Sequence, residues 1–156
     1  MSIQDDSAAQ QSCQDIELVV RLAFRTSHLI TGSVPLAEKA VLNALDRFDP
    51  DRDSQRTLLW YAVAAAIEQP ASELPPRNSG DPVELDAVLA LPDLLRCCFV
   101  LRFLIRYSPG ACAGLLHLSV DAVNEYSCVA VQRLAGLDPA VRTVSRRKRG
   151  DHLRRQ

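Results

Sequence analysis

Residues 91–135 read LPDLLRCCFVLRFLIRYSPGACAGLLHLSVDAVNEYSCVAVQRLA. Pro92 suits the first turn of a helix, because that position needs no backbone N–H, and the helix is predicted to run to about Arg106. Ser108-Pro109 opens a short helix, Pro109–Leu116. His117-Leu118 turns the chain. Ser119 then caps a last helix from Val120 to about Ala135, which Gly136 ends. A short helix, a tight turn and a longer capped helix make the helix-turn-helix pattern. Its spacing requirements are met: Ala113 is small where the two helices must touch, Leu116 and Leu118 flank the turn, and Val123 and Ala130 face inward.

Working outward, Leu85, Val88 and Leu89 give one apolar face to a helix beginning near Val83. Leu94, Leu95, Cys98, Phe99, Leu101, Phe103 and Ile105 make the next helix apolar enough to cross the middle of this half. Before it, Pro70, Pro75, Pro76, Gly80 and Pro82 exclude a helix over residues 69–82, which read as a linker. The preceding half is helical as well. Ser12-x-x-Asp15 resembles a capping box, followed by Ile16, Val19, Val20, Ala23 and Ile30 at helical spacing. Thr31-Gly32-Ser33 breaks that helix, and Ser33 is placed to cap the next, with Pro35 in its first turn. Leu36, Ala37, Ala40, Val41, Ala44, Leu45 and Phe48 form its apolar stripe, and Asp49-Pro50-Asp51 ends it. Arg56–Glu68 is Ala-rich and nearly apolar all round, so it should be largely buried.

Nothing alternates with period two for long enough to make a strand. The expected fold is therefore all-α, with two small helical domains joined by a Pro-rich linker and a helix-turn-helix in the second. The boundaries are a disordered N-terminus over 1–11, helical domains over 12–68 and 83–137, the linker between them, and a tail over 138–156. Two such halves of a 156-residue chain would each be marginal alone, and they carry nearly all-apolar helices, so they are expected to dock on each other.

Composition removes several function classes. The apolar charge-free stretches 57–67 and 107–120 fall short of the ~20 residues of a membrane span. MSIQDDSAAQQS has neither a basic start nor an apolar run, so no signal peptide is expected. Five cysteines (Cys13, Cys97, Cys98, Cys112 and Cys128) lack metal-ligand spacing and mostly sit in apolar segments, as reduced buried thiols of a cytoplasmic protein do. No phosphate-binding loop, HExxH or nucleophile elbow occurs, so neither an enzyme nor a cofactor is expected. Asp49, Asp51 and Asp53 are spaced as in a calcium loop, but Ser54 and Trp60 stand where Gly and Glu are needed, leaving a polar turn. His28, His117 and His152 have no partners at metal spacing.

Charge is divided between the ends. From Pro139 onward, Arg142, Arg146, Arg147, Lys148, Arg149, Arg154 and Arg155 stand against Asp151 alone, a net +6. The whole chain carries −1, so residues 1–138 carry −7. A basic tail on an acidic body suits a polyanion or an acidic protein surface, and equally a solvated terminus.

Residues 91–135 resemble the promoter-binding C-terminal domain of bacterial sigma factors of the extracytoplasmic-function group. Leu91-Pro92 with Arg96, Val100-Leu101-Arg102, Tyr107-Ser108, Ala113, Leu116, Ser119, Val123, Ala130 and Leu134 fall in register with it. Thr31-Gly32-Ser33, Ala37-Glu38 and Leu59-Trp60-Tyr61-x-Val63-Ala64 are similar to the sigma domain that binds core RNA polymerase and melts the promoter. The resemblance covers residues 16–137 and implies a role in transcription.

The departures from that family fall on its chemistry. Its acidic polymerase-gripping helix here reads Leu36, Lys39 and Leu42, keeping Glu38 alone as a polymerase-binding candidate. Ala62, Ala65 and Ala66 replace residues that stack on or bond to a melted base. Asn124, Tyr126, Val129 and Val131 stand at recognition-helix positions where Lys and Arg are usual, while Asp121 and Glu125 add negative charge. The nucleic-acid candidates are thus Ser119, Asn124, Tyr126, Gln132 and Arg133 on that helix, with Arg142, Arg146, Arg147, Lys148 and Arg149 in the tail. Arg96, Arg102 and Arg106 read as dispersed, solvated surface. The leading expectation is a cytoplasmic sigma-like transcription protein with diverged surfaces, binding duplex DNA through the helix-turn-helix and tail, with polymerase or a regulatory protein as further partners. The alternative is a sigma-fold interaction module with no DNA role, binding a partner protein or itself.

Overall fold

The structure, a computed structural model, describes residues 3–69 and 83–136. Among them seven α-helices follow one another: α1 Ile3–Thr31, α2 Val34–Arg47, α3 Gln55–Ile67, α4 Val83–Leu89, α5 Asp93–Phe99, α6 Pro109–Leu116 and α7 Val120–Leu134, with a π-helical turn at Val100–Leu104 between α5 and α6. No strand occurs among the described residues, so the expected all-α class is observed. Among the same residues, no helix is long and apolar enough to cross a membrane. Most of the expected linker (70–82) and the whole basic tail lie outside the described residues.

The first three helices pack on one another through small side chains. Ala23 and Ser27 of α1, Ala37, Ala40 and Ala44 of α2, and Ala62 and Ala66 of α3 are all buried. Small residues let helix backbones approach closely, which accounts for the Ala-rich composition. The α1–α2 turn forms as its sequence requires. Gly32 takes a left-handed backbone (φ 67), and its N–H donates to the His28 carbonyl at 2.7 Å. Two expectations about these helices are corrected. α1 begins at Ile3 and runs through the expected disordered segment and the Ser12-x-x-Asp15 box. Ser33 holds the N-cap position of α2 but makes no side-chain cap. Instead, the buried Thr31 hydroxyl accepts the Ser33 N–H at 3.2 Å and lies 2.8 Å from the Ser27 carbonyl.

Beyond residue 82, the helix expected to reach Arg106 stops being α-helical at Phe99. The Ile105 N–H reaches back to the Val100 carbonyl at 3.0 Å, and the Tyr107 N–H to Leu101 at 2.9 Å. These are the longer closures of a π-turn. Arg102 holds the widened turn by donating from Nη1 to the Tyr107 carbonyl at 2.9 Å, and Arg106 leaves it with φ 63. The extra residue points both Val100 and Leu101 into the core, each 0% exposed. Leu94 and Phe103, expected inside, are 38% and 46% exposed.

Residues from both sides of the Pro-rich segment share one apolar cluster. Leu29, Ile30, Val63 and Ala66 meet Val88, Val100, Leu101, Cys112 and Val123 there. The Trp60 and Tyr107 rings lean together across the same seam, with centroids 5.5 Å apart. A smaller cluster of Leu91, Leu95 and Ala130 joins α5 to α7.

Candidate functional site

The α6–α7 pair is positioned by local chemistry that the sequence announces. Ser108 Oγ accepts the Ala111 N–H at 3.2 Å, and Ser119 Oγ accepts that of Ala122 at 3.1 Å. Each hydroxyl satisfies an otherwise orphaned helix donor. His117 takes the left-handed conformation between the helices (φ 54), a region that His enters more readily than bulkier residues. Leu118 N–H closes the turn on the Ala113 carbonyl at 3.0 Å. Val123, Ser127 and Ala130 are the buried residues of α7.

The structure divides the nucleic-acid candidates. Asn124 and Arg133 are exposed on α7. Ser119 is exposed but is already occupied as a cap. Gln132 is half-buried, with Nε2 3.6 Å from Cys128 Sγ. Tyr126 is half-buried and packs against the Leu91, Leu95 and Ala130 cluster. Arg142, Arg146, Arg147, Lys148 and Arg149 lie outside the described residues.

Arg96 overturns its reading as solvated surface. It is only 5% exposed, and its guanidinium is saturated by five contacts. Nε and Nη2 donate to the Ile30 carbonyl at 3.3 and 3.2 Å, and Nη1 to Leu89 and Leu91 at 3.1 Å each. Nη2 also pairs with Asp93 at 2.6 Å. Arg102 is half-buried and spent on the π-turn. The exposed arginines of residues 83–136 are therefore Arg106 and Arg133. Two cations supply about two phosphate contacts, too few for appreciable affinity near physiological salt.

The Asp49–Asp53 segment is a turn whose carboxylates are used locally. Asp53 accepts the Asp49 N–H at 3.0 Å, and Asp49 accepts that of Asp51 at 3.0 Å.

A different feature opens on the opposite half. A groove of about 580 Å³ runs between α1 and α2, lined by Val20, Arg21, Phe24, Arg25, Glu38, Val41, Leu42 and Leu45. Glu38, the polymerase candidate, sits on its rim, and Leu42 beside it is 61% exposed. The α1 wall escaped the sequence reading. Its signal was Phe24, one apolar position more than the predicted stripe of Ile16, Val19, Val20, Ala23 and Ile30 contains, beside Val20 of that stripe. Neither a family model, a curated protein nor a solved structure matches the chain.

Cysteine chemistry is muted across the described residues. Cys98 and Cys112 are buried and Cys97 is half-buried, all free, whereas Cys128 is exposed. Burial pushes the Cys97 thiol up to about 11, with the Arg96 guanidinium opposing it. Burial pushes Cys98 up to about 11 too, reinforced by its neighbour Cys97. Both lie above the ordinary value of 9.0, so the folded chain holds these protons more tightly than the unfolded one. The associated stability is intact below about pH 9 and is lost as pH rises through about 11. The urea midpoint is therefore expected to fall between about pH 9 and 11, and Cys97→Ala should flatten part of that fall. An unchanged slope in Cys97→Ala would contradict the assignment.

Proposed function

We propose that the chain is a sigma-like protein of transcription regulation that works by protein contact through the α1–α2 groove. In this reading α6, its turn and α7 form a helix-turn-helix that has become a structural unit. The observation that carries it is a contrast between two surfaces. The groove is walled almost wholly by hydrocarbon and bordered by exposed leucines, as protein-binding surfaces are. The open face of α7 offers Asn124 and Arg133 beside Asp121 and Glu125, a poor phosphate surface. The groove also falls on the helix that resembles the sigma polymerase grip, where Leu42 replaces a polar residue.

A second reading keeps duplex DNA as a partner, and the +6 charge of residues 139–156 favours it. Gel shift with random duplex DNA at two salt concentrations tests both. Any shift by the full chain should weaken steeply with salt, by up to about six counterions' worth. It should vanish on truncation after Leu137 and be indifferent to Asn124→Ala. A shift that survives truncation, prefers one sequence and is lost in Asn124→Ala would overturn the proposal and restore base reading by α7.

Core polymerase supplies an independent check. With the acidic grip reduced to Glu38 and Lys39 opposing it, several charged contacts are missing, commonly a loss of a few kcal/mol. In-vitro transcription with core enzyme and this protein alone is expected to give no initiation.

A further inference from the structure

The α1–α2 groove lies beside its own complement. On α1, Leu18, Arg21, Leu22 and Arg25 follow the i, i+3, i+4, i+7 spacing of one helix row. Leu18 is 70% exposed and Leu22 46%, so the row stands out as a ridge. Next to it, Leu42 and Leu45 line the groove from α2 with Glu38 on the rim. Neither Arg25 nor Glu38 makes an ion pair among the described residues. Both line the groove, Arg25 from α1 and Glu38 from α2.

A ridge and a groove on one surface, with the unpaired and opposite charges of Arg25 and Glu38 both lining that groove, satisfy the condition for an isologous contact. A two-fold operation lays the ridge of one copy into the groove of the other, and reciprocally. We propose that the chain forms a two-fold dimer in which the Leu18–Leu22 ridge of each copy seats in the partner's α1–α2 groove and Arg25 pairs with the partner copy's Glu38. This rests on the protein-contact reading of the groove and names a second copy as its occupant. Charge complementarity selects a second copy over an unrelated apolar helix, because the groove's own unpaired charges answer each other.

The test is sedimentation velocity of the full chain in the micromolar range, with charge reversals at exposed positions. The wild type should sediment as a dimer. Arg25→Glu places two carboxylates together twice over, and Glu38→Arg two cations, so each alone should weaken association by about tenfold or more. An equimolar mixture of the two variants restores opposite charges at both contacts, inverted at one and native at the other, so it should recover a heterodimer. Leu18→Ser serves as a charge-independent variant and should also shift the chain toward monomer. A wild type that stays monomeric, a dimer unmoved by both reversals, or a mixture that fails to reassociate would each overturn the proposal. Failure of the underlying protein-contact reading registers separately, as a base-specific gel shift lost in Asn124→Ala.

Discussion

Replacing Arg96 by methionine is expected to cost about 3–5 kcal/mol, a large share of the ~5–15 kcal/mol that holds a small protein folded. The guanidinium is almost completely enclosed and bonds the carbonyls of Ile30, Leu89 and Leu91. Ile30 lies in the last turn of α1 and Leu89 at the end of α4, where helix carbonyls have no partner of their own. One cation thus closes two helix C-termini, which the helix dipoles also favour. Methionine matches the volume but leaves these oxygens buried and unbonded, and each unsatisfied acceptor costs about 1–3 kcal/mol. Lysine keeps the charge but offers one donor centre where a planar fork is needed, so Arg96→Lys should fall between the two. Urea unfolding followed by circular dichroism reads the difference. A loss below about 1 kcal/mol for Arg96→Met would mean that water satisfies the carbonyls and that the arginine is not what joins α1 to α4 and α5.

Truncating Leu101 to alanine is expected to cost about 2–5 kcal/mol. Leu101 is 0% exposed and sits in the cluster shared by residues from both sides of the Pro-rich segment. The π-turn that places it is pinned by its own carbonyl, which accepts the Tyr107 N–H, so the backbone has little freedom to close the cavity. The matched control is Leu42→Ala. That leucine is 61% exposed on the groove, and its truncation should change monomer stability by less than about 0.5 kcal/mol. Equal losses at the two positions in thermal unfolding would contradict the burial assigned to them.

Much of the secondary structure was legible because it is set by near neighbours. Ser119 and Ser108 stand immediately before helical runs, where a hydroxyl can reach an orphaned N–H. Gly32 and Gly136 stand where the chain must turn left-handed. Pro109 begins α6 because the first helical position asks for no donor. The buried positions of α2 were legible for the same reason, since the helical period places Ala37, Ala40, Val41 and Ala44 on one face.

What misled was long range. Arg96 carries the same side chain as Arg106, and no local pattern tells a buried arginine from a solvated one. The difference arises only when the end of α1 arrives from 66 residues away with an unbonded carbonyl. The π-turn is the exception, since its contacts are local: VLRFLI reads as continuing helix, and the alternative is held by Arg102 bonding forward to Tyr107. Tyr126 carries no local sign of the α5 surface against which it packs. The groove was half visible, through Leu42 on α2, and half hidden on α1, where apolar residues exceed what one buried face can take.

By itself, then, the sequence determined the all-α class, the caps of α6 and α7, the left-handed glycines, the inner face of α2 and the uneven charge, because these depend on 3.6-residue periodicity, on φ preferences and on counting. Tertiary structure alone decided which arginine is buried, which leucines line a groove and which aromatic is packed. Those outcomes depend on the bare carbonyls and hydrocarbon that a second, distant helix brings to a residue, and desolvation is a property of the assembled surroundings.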